Sequence, residues 1–265
     1  MKQPIFVITG ASSGIGKAIT KILAQRSYHL IIASRNLAAL EVIQHELLAE
    51  YPCQITCLPV DYADSNSIDE LMAYIYHENL TIDGFISCVG YGDFKAAVQT
   101  SYRDISHMFQ VNTLGTMYVS NLMAQKMLDQ GYGHISLLGS MSGKISTAHS
   151  SVYSASKFAI IGYANSLRLE LMDRGVSVTT VNPGPVATSF FERNQGLKTY
   201  YQKVQRWTLP VEDVAIKIVD NMLRIHPRRE LNLPMWMVLL TRAYNAAPRV
   251  GDIVLKTMVN FKEES

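Results

Sequence analysis

Two rhythms of apolar and polar residues alternate along this chain. Short runs dense in β-branched and aromatic residues occur at Ile5–Thr9 and at 28–33, 54–60, 84–89, 134–139 and 176–181, and they read as strands. The run at Ile5–Thr9 has no polar break before its threonine, the form expected of a strand buried on both faces. Between the runs lie stretches with helical spacing at 17–26, 38–50, 67–77, 104–130, 152–171 and 211–224. A further short strand is expected near Glu230–Leu233. Regular strand–helix alternation is the mark of right-handed βαβ units and a parallel sheet, so the expected fold class is α/β.

The pattern changes after the sixth strand. Residues 189–210 hold Phe190, Phe191, Tyr200, Tyr201 and Trp207 among polar positions, as a loop or helical flap over a ligand would. These aromatics point to an apolar substrate. Residues 1–233 then read as one catalytic domain and 234–265 as a helical extension. In the extension Trp236, Leu239, Leu240, Ala243 and Ala247 recur at helical spacing, and Val250, Ile253, Val254, Met258 and Phe261 follow a break at Pro248. Two readings stand side by side. The helices pack on their own domain or a second subunit, or they lie on a membrane through 235–261 with Arg242, Arg249 and Lys256 near the headgroups.

Composition narrows the function. With 48% hydrophobic and 17% charged residues, a chain of 265 residues can build a large core. A formal net charge of +2 is too balanced for a nucleic-acid binder. Three cysteines, an odd number, suit a reducing cytoplasm better than a disulfide framework, and no His or Cys spacing suggests a metal site. No basic-then-apolar stretch precedes the first strand, so a cleaved leader is not expected.

Candidate chemistry begins at the first strand end. Gly10-Ala-Ser-Ser-Gly14-Ile-Gly16 joins a strand to a helix, the context in which glycines let the backbone approach a pyrophosphate. No acidic residue follows the second strand before Glu41, whereas Ser34 and Arg35 stand there. An Arg at that place pairs with a 2′-phosphate, so the cofactor expected is NADP(H). Asp61, at the end of the third strand, has two roles open: contact with adenine, or capping of the next turn. Asn112 falls inside the long helical stretch, where asparagine diverts a backbone; a structural partner and a proton path both remain open.

Tyr153 and Lys157 stand four residues apart and share a helical face. An ammonium beside a phenol favours the phenolate. With the positive charge of an oxidised nicotinamide, it is expected to supply much of the energy, about 4 kcal/mol, that lowering the tyrosine by about three pKa units requires. Ser140, just past the fifth strand, is placed to hold the same substrate oxygen. Tyr91 and Lys95 match the same spacing, but the glycines of Gly90-Tyr-Gly-Asp-Phe-Lys95 argue for a loop.

Taken together, Thr9-Gly10-x-x-x-Gly14-Ile-Gly16, Asp61, Asn112, Ser140, Tyr153-x-x-x-Lys157, Asn182-Pro-Gly184 and Thr188 resemble the short-chain dehydrogenase/reductase family over about residues 5 to 190. The resemblance implies a doubly wound Rossmann fold whose seven parallel strands run in the order 3-2-1-4-5-6-7. It implies Tyr153 as acid/base, Lys157 on the nicotinamide ribose, Ser140 on the carbonyl and Asn112 holding a water. Cofactor contacts are implied at Gly10, Ser12, Ser13, Gly14, Ile15, Gly16, Ser34, Arg35, Asp61, Gly90, Pro183, Gly184, Val186 and Thr188, besides Tyr153 and Lys157. Where the family has Asn-Asn-Ala-Gly after the fourth strand, this chain has Ser87-Cys-Val-Gly90, a change expected to bear on the adenosine side. The function expected is an NADP(H)-dependent oxidoreductase interconverting a carbonyl and an alcohol, cytoplasmic, homo-oligomeric and without nucleic-acid partners. The reading set against it is a cofactor-binding sensor without turnover, and a non-redox epimerase or lyase on the same scaffold is a third.

Overall fold

A computed structural model describes residues 3–192 and 195–258. Seven parallel strands form one sheet in the order β3-β2-β1-β4-β5-β6-β7. They are β1 Ile5–Thr9, β2 His29–Ser34, β3 Gln54–Pro59, β4 Gly84–Ser87, β5 Gly133–Leu138, β6 Val176–Pro183 and β7 Glu230–Leu233. The helices are α1 Gly14–Gln25, α2 Leu37–Glu50, α3 Ser65–His77, α4 Tyr102–Phe109, α5 Thr116–Gln130, α6 Ser151–Glu170, α7 Gln195–Val204, α8 Val211–Met222, α9 Trp236–Ala246 and α10 Pro248–Met258.

Alternation along β1 divides the core in two. Ile5 and Val7 join Ile68, Leu71 and Ile75 of α3, Val119 and Met123 of α5, and Ile160 and Ala164 of α6. Phe6 and Ile8 face the other way, onto Ile19 and Leu23 of α1, Leu40 and Ile43 of α2, and Val214 and Ile218 of α8. Burial of both sheet faces explains why the strands read as apolar runs rather than alternating ones. It also fixes the strands' C-terminal ends along one edge, where an open parallel sheet reverses strand order and leaves a crevice.

The expected helix at 104–130 is continuous but not uniform. Gln110–Gly115 forms a π-helical turn between α4 and α5. This bulge brings Gly115 against the Tyr62 backbone and turns Asn112 inward. The flap segment 189–210 is partly helical: a short turn at Ser189–Glu192, then α7, then a turn at Gln205–Trp207.

In the extension, α9 packs beside β7 and α10 folds back on α9, with the Tyr244 hydroxyl donating to Asp252 Oδ1 at 3.0 Å. Met235, Trp236, Leu239, Leu240, Val250, Ile253 and Val254 are exposed. Phe261 lies outside the described residues. Among the described residues, no helix is long and apolar enough to cross a membrane.

Candidate active site

The C-terminal ends of β1, β2, β4, β5 and β6 border a cleft of about 420 Å³. Gly10, Ser12, Ser13, Gly14, Ile15 and Gly16 line one end, with Ser34, Arg35 and Asp61 beside them. Gly90, Ser140, Tyr153, Lys157, Pro183, Gly184, Val186 and Thr188 line the rest of the expected set. Asn112 does not border the cleft.

The glycine turn fits a pyrophosphate on physical grounds. Gly10 sits at φ +72°, and a Cβ there would lie 2.9 Å from the Cys88 carbonyl carbon, so a side chain would close this approach. Ser13 is the N-cap of α1 yet makes no side-chain cap bond, so the first backbone N–H groups of the helix have no side-chain cap where Gly14, Ile15 and Gly16 border the cleft. Arg35 is exposed at the tip of β2. Neighbouring Ser34 donates to the Asn36 carbonyl, and Asn36 in turn caps α2 through the Ala39 N–H. Asp61 uses Oδ1 to accept from the Ala63 N–H at 3.0 Å, so it does cap a turn, while still bordering the cleft.

The catalytic candidates meet on α6 and the loop after β5. The Tyr153 hydroxyl lies near enough to Ser140 for that hydroxyl to favour its ionised form, and Ser140 Oγ accepts from the Ser142 N–H at 3.0 Å. Lys157 is buried, its Nζ 5.9 Å from the Tyr153 ring centroid, and it donates to the Leu138 carbonyl at 2.9 Å. Burial pushes the Tyr153 phenol above its ordinary pKa, and Ser140 opposes that only in part. The drop expected from the sequence rests on Lys157 together with the charge of an oxidised nicotinamide; the protein's own contribution runs the other way. The ammonium lies over the ring and is held by a backbone carbonyl, so desolvation of the phenolate dominates. Burial likewise lowers Lys157 to about 8, an effect that the nearby Cys88 opposes.

The departure from Asn-Asn-Ala-Gly, expected to bear on the adenosine side, puts the Cys88 thiol near Lys157; burial raises that thiol to about 12.

Asn112 has the structural partners that one of its two open roles requires. Its Oδ1 accepts from the Tyr91 N–H at 2.9 Å, and its Nδ2 donates to the Tyr91 carbonyl at 2.8 Å and to Ser156 Oγ at 3.2 Å. Ser156 Oγ donates in turn to the Tyr153 carbonyl at 2.7 Å. One amide therefore ties the loop after β4 to the helix carrying Tyr153. The rival pair is separated as the glycines predicted: Tyr91 and Lys95 lie in that loop, with Lys95 bridging Asp93 at 2.9 Å and Asp104 at 2.8 Å.

Several cleft residues escaped the sequence reading. Phe94 from the loop after β4, Met141 and Ile145 beyond β5, and Met237 and Leu240 from α9 all border the cleft, Phe94 with its ring against Tyr153. The helical spacing of Met237 and Leu240 was a usable signal; Phe94 had none, because its loop has no period.

Comparison with known proteins places this geometry. A family model described as short chain dehydrogenase matches residues 4–197. A probable short-chain type dehydrogenase/reductase, VdlC, of Helicobacter pylori is 31% identical over 228 residues, covering 80% of this chain and 82% of that protein. A Drosophila melanogaster dehydrogenase/reductase SDR family protein 7-like is 30% identical, over 84% of this chain and 71% of its own. Among solved structures, a short-chain dehydrogenase from Sphingobium yanoikuyae in complex with NADPH superposes with a TM-score of 0.80 at 22% identity, covering 93% of this chain and 94% of that one. One from Burkholderia phymatum in complex with NAD gives 0.83 at 21% identity, covering 94% and 95%. At these identities the two structures speak to the fold alone.

Proposed function

The chain belongs to the short-chain dehydrogenase/reductase family, and from that premise we propose that it is an NADP(H)-dependent oxidoreductase interconverting a carbonyl and an alcohol on an apolar substrate. The observation that carries this reading is Ser140, Tyr153 and a buried Lys157 brought together in the same cleft as a glycine turn and Arg35.

NADP(H), when bound, supplies or accepts the hydride. The turn from Gly10 to Gly16 and the open N-terminus of α1 would hold its pyrophosphate, and Arg35 its 2′-phosphate. Lys157 would hold the nicotinamide ribose. Ser140 Oγ and the Tyr153 hydroxyl together hold the carbonyl oxygen and stabilise charge developing there. Tyr153, kept neutral by burial, is poised as the acid of the reductive direction: its O–H proton passes to the oxygen as the alcohol forms.

The substrate end supports the apolar assignment. The charged residues that border the cleft among the described residues are Arg35, Asp61 and Lys157, all on the proposed cofactor side. Closure of the flap over Tyr153 excludes water from the transfer. The same reading takes the protein as cytoplasmic and homo-oligomeric, with α9 completing the cleft mouth and the exposed face of α9 and α10 covered by a second subunit. Consumption of NADPH, and not of NADH, with a panel of uncharged ketones and aldehydes tests the assignment; binding without turnover across the panel would favour a sensor. For the exposed face, liposome co-sedimentation set beside size-exclusion chromatography separates a lipid surface from a subunit contact.

A further inference from the structure

The loop after β4 is held unusually well for an irregular segment. Asn112 grips both backbone groups of Tyr91 at its start, and Lys95 is forked between Asp93 and Asp104 at its end. Asp104 is fixed in turn by the capping box it forms with Ser101 at the head of α4. Between these anchors the backbone at Gly92 passes so near the flap that a Cβ there would lie 2.8 Å from the Phe190 ring.

The residue this clamp presents is Phe94. Its ring stands edge-on to Tyr153 at 5.6 Å between centroids, and also meets Tyr200 at 5.4 Å and Phe190 at 6.5 Å. Phe190 itself touches the Tyr153 ring at 5.8 Å. Phe94, Phe190 and Tyr200 all border the cleft beside the Tyr153 hydroxyl. Three rings from two separate segments thus make a continuous aromatic wall next to the group proposed to protonate the carbonyl. Rings whose partners fix their edges and faces favour another flat π-system over a saturated group of equal size.

We infer that Phe94 is a specificity-determining residue, and that the wall it forms with Phe190 and Tyr200 takes a flat, uncharged aryl or conjugated ring attached to the substrate carbonyl. This rests on the oxidoreductase reading above and narrows it to a substrate class. Lys95 and Asn112 act as positioning residues, since they hold the loop and do not border the cleft.

The test compares benzaldehyde with cyclohexanecarboxaldehyde as substrates of the full chain with NADPH. The ratio of their kcat/KM values is measured for wild type, Phe94→Leu and Phe94→Tyr; intrinsic reactivity cancels in the comparison between proteins. Phe94→Leu is expected to lower the ring-to-saturated ratio about tenfold, about 1.4 kcal/mol, and Phe94→Tyr to keep it. Phe190→Leu, expected to shift the ratio in the same direction, serves if Phe94→Leu does not fold. A ratio unmoved by the leucine substitutions overturns the inference. If neither aldehyde is turned over, the oxidoreductase reading is judged separately on the wider carbonyl panel. Binding of the non-reducible pair benzamide and cyclohexanecarboxamide to the NADPH-loaded chain then reads the wall alone. Preference for benzamide that is lost in Phe94→Leu upholds it, and equal binding of the two amides to wild type refutes it.

Discussion

The side-chain amide of Asn112 grips both backbone polar groups of Tyr91, accepting from the N–H at 2.9 Å and donating to the C=O at 2.8 Å. Replacing it with alanine leaves these groups and Ser156 without that partner, each such loss costing about 1 kcal/mol or more. Asn112→Ala is therefore expected to lose about 2–4 kcal/mol of stability, read from urea denaturation. Unchanged stability with a large drop in kcat would instead assign Asn112 to a proton path.

On the proposed function, Arg35 governs the choice of cofactor. A charge-assisted pair with a 2′-phosphate contributes about 1.5–3 kcal/mol. Arg35→Ala is expected to weaken NADPH binding by about ten- to a hundredfold while leaving NADH within about twofold, as measured by fluorescence titration. Equal losses for the two cofactors would remove the 2′-phosphate assignment.

The pH dependence of reduction separates the two groups on α6. Tyr153 is raised by burial and stays protonated through neutral pH, whereas Lys157 loses its proton near 8. The high-pH limb of kcat/KM for carbonyl reduction is expected near pH 8 and belongs to the lysine. A profile flat to pH 9 would show that the Lys157 charge is not needed for the step.

His134 sets a separate pH limit on stability. It is buried between Thr179 Oγ1, at 2.8 Å from Nε2, and the Met222 carbonyl, and burial lowers it to about 4 from 6.5. The unfolded chain therefore binds the extra proton between these two values, so stability is full above about pH 6.5 and falls as pH drops toward 4. The loss amounts to about 3 kcal/mol at about 1.36 kcal/mol per unit. His134→Gln is expected to flatten that part of the profile, seen as a smaller difference in urea midpoint between pH 7.5 and pH 5. An unchanged difference would place the acid sensitivity elsewhere.

Much of the fold was legible because burial on both sheet faces writes itself as unbroken apolar runs, as in Ile5–Thr9, and because β-strands joined by helices leave few topologies open. The strand order itself came from the family resemblance. The site was legible wherever a local motif fixes geometry: the glycine turn needs a strand before it and a helix after it, and Tyr153 and Lys157 share a face by helical period alone. What stayed hidden depends on distant contacts. The π turn at Gln110–Gly115 leaves the apolar spacing of the long helix nearly intact. Phe94 gains its place only because Asn112 and Asp104, from other segments, hold its loop. The upward push that the protein itself exerts on the Tyr153 pKa was not legible, because spacing reveals the nearby Lys157 but not burial, which raises the phenol.

The central claim, that the Tyr153 hydroxyl is the proton donor in a carbonyl reduction, is tested most directly by Tyr153→Phe assayed with NADPH and an uncharged carbonyl that wild type reduces. The hydroxyl alone is removed, so NADPH binding is expected within about threefold of wild type while kcat falls by about a hundredfold or more. Loss of kcat with cofactor binding retained is the predicted result. Turnover in Tyr153→Phe within tenfold of wild type would contradict the account.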